Sequence, residues 1–281
     1  MNNLALRAIS GAVYVALIVG ATLSGGFCFG LLMTLFALLA SMEFTQLTGS
    51  MRPGDGAVAN AITATTVVAT AATVWFAARS IAVVPVIAVL FFLIRGVLAL
   101  YDRREQPFMA VGRSFLCYLY IALPLGTFNA LYAVTGFFSP ASRPQLEILM
   151  IFVMIWLNDT GAYLVGSRIG RRKLFERLSP KKSWEGFFGG LAFCLLAGVG
   201  AGLWMDSQVG MWQWVATGAL VCLFATWGDL FESLLKRNLG VKDSGRLMPG
   251  HGGILDRIDS LLFVAPAVSL FLFLSVYYYI L

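Results

Sequence analysis

Residues 80–100 read SIAVVPVIAVLFFLIRGVLAL, a run in which Arg95 is the one charged side chain. A helix rises 1.5 Å per residue, so about 20 apolar residues cross the roughly 30 Å of bilayer hydrocarbon. This stretch therefore predicts a membrane-spanning helix. Eight further apolar runs extend the pattern, at about 4–23, 27–47, 57–78, 112–135, 146–166, 187–205, 212–235 and 258–281. The run at 57–78 is weaker, being rich in Ala and Thr, and meets the next at the tight link Arg79–Ser80. In the first run, Arg7 precedes an apolar stretch as in a secretory signal, but no small-x-small cleavage site follows, and it reads as an anchor span. The predicted fold is an all-α integral membrane protein of about nine transmembrane helices.

Composition agrees. Of the 281 residues 59% are hydrophobic and 12% charged, against about 25% charged in soluble chains, which excludes a soluble enzyme, a disordered chain and a small disulfide-stapled domain. Cys28, Cys117, Cys194 and Cys222 fall in apolar stretches without CxxC spacing and read as small core hydrophobes. His251 is the only histidine, so sites built on several histidines are excluded. The net charge of +6 is first a topology signal rather than a sign of nucleic acid, and no nucleic-acid partner is expected.

Placing the N-terminus in the cytoplasm puts Arg7, Arg52, the cluster Arg95/Arg103/Arg104/Arg113, seven basic residues in 167–186 and five in 236–257 on the cytoplasmic side. Arg79 and Arg143 alone of the twenty Lys and Arg fall opposite. Such asymmetry supports the nine-span count, with the C-terminus on the opposite face. The short loops, the lack of a targeting peptide and this charge pattern point to a bacterial inner membrane. Residues 1–135 then form an N-terminal region of spans one to five, and 136–281 a C-terminal catalytic region of spans six to nine. The segments 167–186 and 236–257 are long, charged and Gly/Pro-containing, and long loops in compact proteins are usually functional or disordered; their aromatic and glycine content favours function.

Ionisable groups within spans are functional candidates by default. Here they are Glu43, Asp159, Asp229, Glu232 and the pair Asp256/Asp259, mostly near cytoplasmic span ends. Asp229, Glu232, Ser233 and Lys236 share one helical face. An ordinary Glu232–Lys236 pair explains part of this face but leaves Asp229 unexplained. A helix starting near Gly253 offers free N–H groups to an anion, with Asp256 and Asp259 on its first turns. These two acids either cap the helix or, as hard oxygen donors, suit Mg²⁺. Ser183 is a candidate N-cap for span seven, and Gly186, Gly189 and Gly190 permit close packing. Lys181 and Lys182 are either topology determinants or phosphate ligands. For His251, a general base, a phosphate donor and a structural hydrogen-bonder stand equally open.

Carboxylates and basic groups crowded at one membrane boundary fit Mg²⁺-assisted chemistry on phosphates, with one soluble polyanionic reactant and one lipid. A cation- or proton-coupled transporter would spread its carboxylates through the membrane depth, and no internal repeat supports one. A CDP-alcohol phosphotransferase needs an Asp-x-x-Asp-Gly-x-x-Ala-Arg pattern to which Asp256-Arg-Ile-Asp259-Ser does not extend. A scaffold leaves the acids unexplained.

At residues 233–259 the chain resembles the phosphatidate cytidylyltransferase (CDP-diacylglycerol synthase) family. The signature Ser-x-x-Lys-Arg, Lys-Asp, Pro-x-His-Gly-Gly-x-x-Asp-Arg-x-Asp is carried by Ser233, Lys236, Arg237, Lys242, Asp243, Pro249, His251, Gly252, Gly253, Asp256, Arg257 and Asp259. Asp159-x-Gly-Ala-Tyr163 and Ser179–Gly186 are also similar to the family. The resemblance implies transfer of a cytidylyl group from CTP to phosphatidic acid, giving CDP-diacylglycerol and pyrophosphate, by a membrane homodimer with a cytoplasm-facing polar cavity. It implies catalytic roles for Asp229, Asp256, Asp259 and Lys236, with Asp229 and Asp256 holding Mg²⁺, with or without a monovalent cation such as K⁺ beside it. Lys181, Lys182, Ser233, Arg237, Asp243, His251, Gly252, Gly253 and Arg257 are its implied substrate-binding residues.

Overall fold

The computed structural model describes residues 3–49, 56–80, 82–138, 143–205, 209–245, 247 and 252–278. In chain order the elements are α1 (Asn3–Leu23), α2 (Gly26–Leu47), α3 (Ala57–Ala77), α4 (Val83–Leu100), α5 (Pro107–Cys117), a π turn (Tyr118–Ala122), α6 (Leu123–Phe138), α7 (Pro144–Ile169), β1 (Lys173–Phe175), β2 (Ser179–Ser183), α8 (Trp184–Trp204), α9 (Met211–Asn238) and α10 (Leu255–Tyr278). Among the described residues, eight helices are long and apolar enough to cross a membrane, α5 to α6 counting as one, and the Ala8–Leu23 part of α1 is a further apolar helical stretch. Every one of the nine apolar runs is thus a helix, and the chain is an all-α integral membrane protein.

Three boundaries differ from expectation. α7 runs on to Ile169 and α9 to Asn238, taking residues from both predicted loops. α10 begins at Leu255, before the span edge expected at 258 and close to the helix start expected near Gly253, with Asp256 in its first turn as expected. The remainder of 167–186 is not a loop but an antiparallel hairpin pairing Lys173 with Ser183 and Phe175 with Ser179. Ser183 caps α8 as expected, its Oγ accepting from Gly186 N at 3.1 Å.

The chain divides into two compact units, one of residues 1–130 with 241–258, the other of 131–240 with 259–281. In the first, α3 explains how an Ala/Thr-rich span is stable. Thr66, Thr70 and Thr73 are buried on one face; Thr66 and Thr70 return their hydroxyls to Ile62 O and Thr66 O at 2.8 Å, while Thr73 Oγ1 meets Tyr118 Oη at 2.7 Å. Small residues with internally satisfied hydroxyls let helices approach closely where lipid gives no hydrophobic drive. Tyr118 belongs to the π turn. Pro124 has no N–H for the carbonyl four residues back, and the helix widens just before it.

In the second unit, glycines set the spacing of α7, α8 and α9. A Cβ on Gly161 would lie 2.9 Å from Gly189 O, and one on Gly198 2.6 Å from Trp214 O. A Cβ on Gly218 would collide with Cys194 O. Cys194 itself gives its Sγ–H to Met154 O at 3.4 Å, and all four cysteines are free thiols, as the sequence implies. Gly218→Val is expected to destabilise by about 1–3 kcal/mol through overpacking, read as a lower melting temperature in detergent. Gly200→Ala, where a Cβ has nothing within 4 Å, should leave the melt unchanged.

Candidate active site

In the first unit the signature segment is organised by two carboxylates. Glu43, buried on α2, accepts from Ile254 N and Leu255 N, both at 2.9 Å, and lies 3.4 Å from Ser244 Oγ. It thereby supplies the negative charge that a helix N-terminus favours, from about two hundred residues away in sequence. Asp256 Oδ2 accepts from Ser244 N at 2.9 Å, Ser244 Oγ at 2.9 Å and Gly253 N at 2.8 Å. Ser244 Oγ is in turn reached by Asp256 N at 3.2 Å, a reciprocal arrangement like a capping box.

The glycines follow from these carboxylates. A Cβ on Gly253 would collide with Ser244 Oγ and Glu43 Oε2, and one on Gly245 would lie 2.5 Å from Glu43 Oε1. Gly252 has φ +82° and faces Asp256 Oδ2, a conformation glycine adopts without strain.

In the second unit, hairpin and helix ends bring basic groups to acids. Glu185 accepts from Arg171 N at 3.0 Å and Arg172 N at 3.2 Å, fastening the hairpin to the start of α8. From β2, Lys182 Nζ reaches Asp229 Oδ2 at 2.5 Å. Ser233 Oγ lies 3.4 Å from Asp229 Oδ1, and Lys236 Nζ pairs with Glu232 Oε2 at 2.5 Å. α9 and α10 come together at Gly228, where a Cβ would be 2.6 Å from Asp259 O. Asp229 and Asp159 are the acidic charges acting on Asp259, and Lys182 the basic one; Asp259 Oδ1 accepts from Ser260 N at 2.6 Å.

Several expectations change. The α10 N-terminus does not present free N–H groups to an anion: Gly253, Ile254, Leu255 and Asp256 all donate to protein oxygens. Asp229 is not buried and unexplained; its side chain is 36% exposed and ion-paired, while Glu232 is the fully buried acid of that face. Asp256 Oδ2 caps its own segment, one of the two roles considered for it.

Lys181 and Arg237 are exposed, as are Asp243 and Arg257. Arg257 O accepts from Tyr14 Oη at 2.9 Å. His251 and Pro249 lie outside the described residues. Among the described residues, no three His, Cys, Asp or Glu stand close enough to cage a metal ion.

Two buried charges escaped the sequence reading as such. Glu147, in the first turn of α7, is 4% exposed; it is the second residue of the apolar run 146–166 and was not counted among the acids within spans. Arg95 was counted as a topology determinant but is wholly buried. Glu43 was visible as an intramembrane acid, yet its partners were not.

This chain is similar to phosphatidate cytidylyltransferases of Staphylococcus: that of S. epidermidis is 43% identical over 136 residues, covering 48% of this chain and 52% of that protein. That of S. aureus is 44% identical over 139 residues, covering 50% and 54%, and that of S. saprophyticus 45% over 125 residues, covering 44% and 48%. The matches span about half the length of these curated relatives. A family model described as the Cytidylyltransferase family matches much further, through residues 5–275, and by that match the chain belongs to the cytidylyltransferase family.

Proposed function

We propose that the chain transfers a cytidylyl group from CTP to phosphatidic acid, forming CDP-diacylglycerol and pyrophosphate. The observation that carries this reading is the family match through residues 5–275, which contains the complete signature at 233–259. A phosphate oxygen of the lipid forms a bond to the α-phosphorus of CTP, the bond from that phosphorus to the bridging oxygen breaks, and pyrophosphate leaves. The lipid phosphate is anionic at neutral pH, so the nucleophile needs no strong base.

The protein's part is positioning and charge. Lys182, held on Asp229, and Lys236, held on Glu232, are cations stored against acids until phosphate oxygens compete for them. Lys181 on the same strand and Arg237 at the end of α9 add exposed positive charge for the triphosphate. Ser233, beside Asp229, is a further polar contact for substrate.

Mg²⁺ is the proposed cofactor, with Asp229 and Asp256 as its carboxylate ligands. Mg²⁺ is usually bound by one or two carboxylates, with waters and substrate phosphates completing its shell. The residues fit this habit: hard oxygen donors, and on Asp229 a carboxylate that already attracts a cation in Lys182. When bound, Mg²⁺ would neutralise charge on the phosphates. A monovalent cation such as K⁺ beside it, a homodimeric assembly, and a site facing the cytoplasm of a bacterial plasma membrane complete the proposal; the Lys/Arg asymmetry supports the orientation.

The test is transfer of label from α-phosphorus-labelled CTP into the lipid phase, dependent on phosphatidic acid, with none from γ-labelled CTP. Label entering lipid from both, or from neither with folded protein, contradicts the proposal. Lys182→Gln is expected to raise KM for CTP by about tenfold or more, as loss of a charge-assisted phosphate contact does. Steady-state kinetics beside Lys181→Gln, where a smaller rise is expected from an exposed lysine without the Asp229 pairing, checks this.

A further inference from the structure

α4 turns most of its side chains outward; among its described residues Phe91 and Arg95 are the buried ones. Arg95 is 0% exposed. Its Nε donates to Ser114 Oγ on α5 at 2.9 Å, and among the described residues Nη1 and Nη2 have no hydrogen-bond partner. The charges that act on it are Arg104 and Asp102, but Asp102 is already clamped by Arg104, through Nε at 2.9 Å and Nη2 at 2.7 Å. A guanidinium stays charged, and burying one with donors unmet is strongly unfavourable. Among the described residues the arrangement therefore lacks an anion.

The surroundings say which kind. Beyond Arg95, around the corner from α4 to α5, Leu100 at the end of α4 is 83%, Tyr101 66% and Phe108 at the start of α5 85% exposed, with exposed Arg103 in the turn and partly exposed Arg113 on α5. Exposed apolar and aromatic side chains around a basic centre at a helix end are the pattern of a membrane interface that recognises anionic headgroups. A free phosphate ion would have no use for this apolar rim.

We propose that the α4–α5 turn binds the phosphate of an anionic phospholipid. Binding draws the Arg95 guanidinium out of its burial, so that the headgroup oxygens accept from Nη1 and Nη2 and displace Arg104 from Asp102, and the acyl chains lie along the exposed face of α4. None of these residues belongs to the set assigned to cytidylyl transfer, and the inference does not rest on that reading. Asp102 is the built-in competitor for the site.

The test uses the full chain in detergent and native mass spectrometry with phosphatidylglycerol, which is not the proposed substrate, and phosphatidylcholine of the same acyl chains. One phosphatidylglycerol per chain is expected to be retained in preference to phosphatidylcholine. Arg95→Gln should weaken retention by about tenfold or more, and Asp102→Asn should strengthen it. Arg103→Gln, an equal change of net charge on an exposed residue, should weaken it by no more than about fivefold. Should Arg95→Gln not fold, Arg104→Gln provides the same comparison. Equal losses in Arg95→Gln and Arg103→Gln would reduce the effect to general attraction and overturn the site. So would equal retention of phosphatidylcholine, or displacement of the lipid by millimolar inorganic phosphate.

Discussion

Glu43→Ala is expected to be the most damaging single substitution in the first unit. The Glu43 carboxylate takes Ile254 N and Leu255 N at 2.9 Å each, both in buried surroundings. Removing it leaves two buried amides without acceptors, each worth about 1–3 kcal/mol, and deletes a favourable charge at the N-terminus of α10. A loss of about 3–5 kcal/mol is expected, seen as a large fall in melting temperature. Activity should fall further than stability explains, because Asp256 follows Leu255 directly. Glu43→Gln keeps one acceptor oxygen and should cost roughly 1–3 kcal/mol. A Glu43→Ala protein that melts like wild type would show that the α10 N-terminus is satisfied in some other way.

The second large effect separates holding from catalysis at Asp256. All three of its described donors meet Oδ2. An asparagine carbonyl oxygen can occupy the same place, so Asp256→Asn should preserve the segment and the melting temperature within a few degrees. It removes the negative charge, and activity should fall by about a hundredfold to a thousandfold, the scale for losing one preorganised electrostatic group. Asp256→Ala should lose both activity and stability, since Ser244 and Gly253 N–H groups are left unmet. Paired melting and turnover measurements on the two variants decide the matter: equal melting losses would make Asp256 a structural cap alone, and an active Asp256→Asn would remove it from the chemistry.

The spans were legible because each carries its own signal. An apolar run such as 83–100 declares a helix whatever its neighbours do, and Ser183 before Trp184-Glu185 marks a helix start by local chemistry. The hairpin was not legible: KLF and SPKKS show no alternation, and they pair because Trp184 N bonds Arg172 O and Glu185 gathers the Arg171 and Arg172 amides. The site residues were legible as types but not as pairs. Lys182 and Asp229 are 47 positions apart, and Glu43 is more than two hundred from Ile254; periodicity along one helix says nothing about such partners. The same limit explains the α10 N-terminus, which looks like an anion site in sequence because the anion that occupies it, Glu43, comes from α2.

The most direct measurement is pyrophosphate release by the purified full chain in detergent, given CTP and phosphatidic acid together and separately, with Mg²⁺ or with EDTA. Expected is release that needs both substrates, stops in EDTA, returns when Mg²⁺ is restored, and matches the CDP-diacylglycerol formed mole for mole. Release from CTP alone, undiminished release in EDTA, or no release from protein with a normal melting transition would contradict cytidylyl transfer to phosphatidic acid.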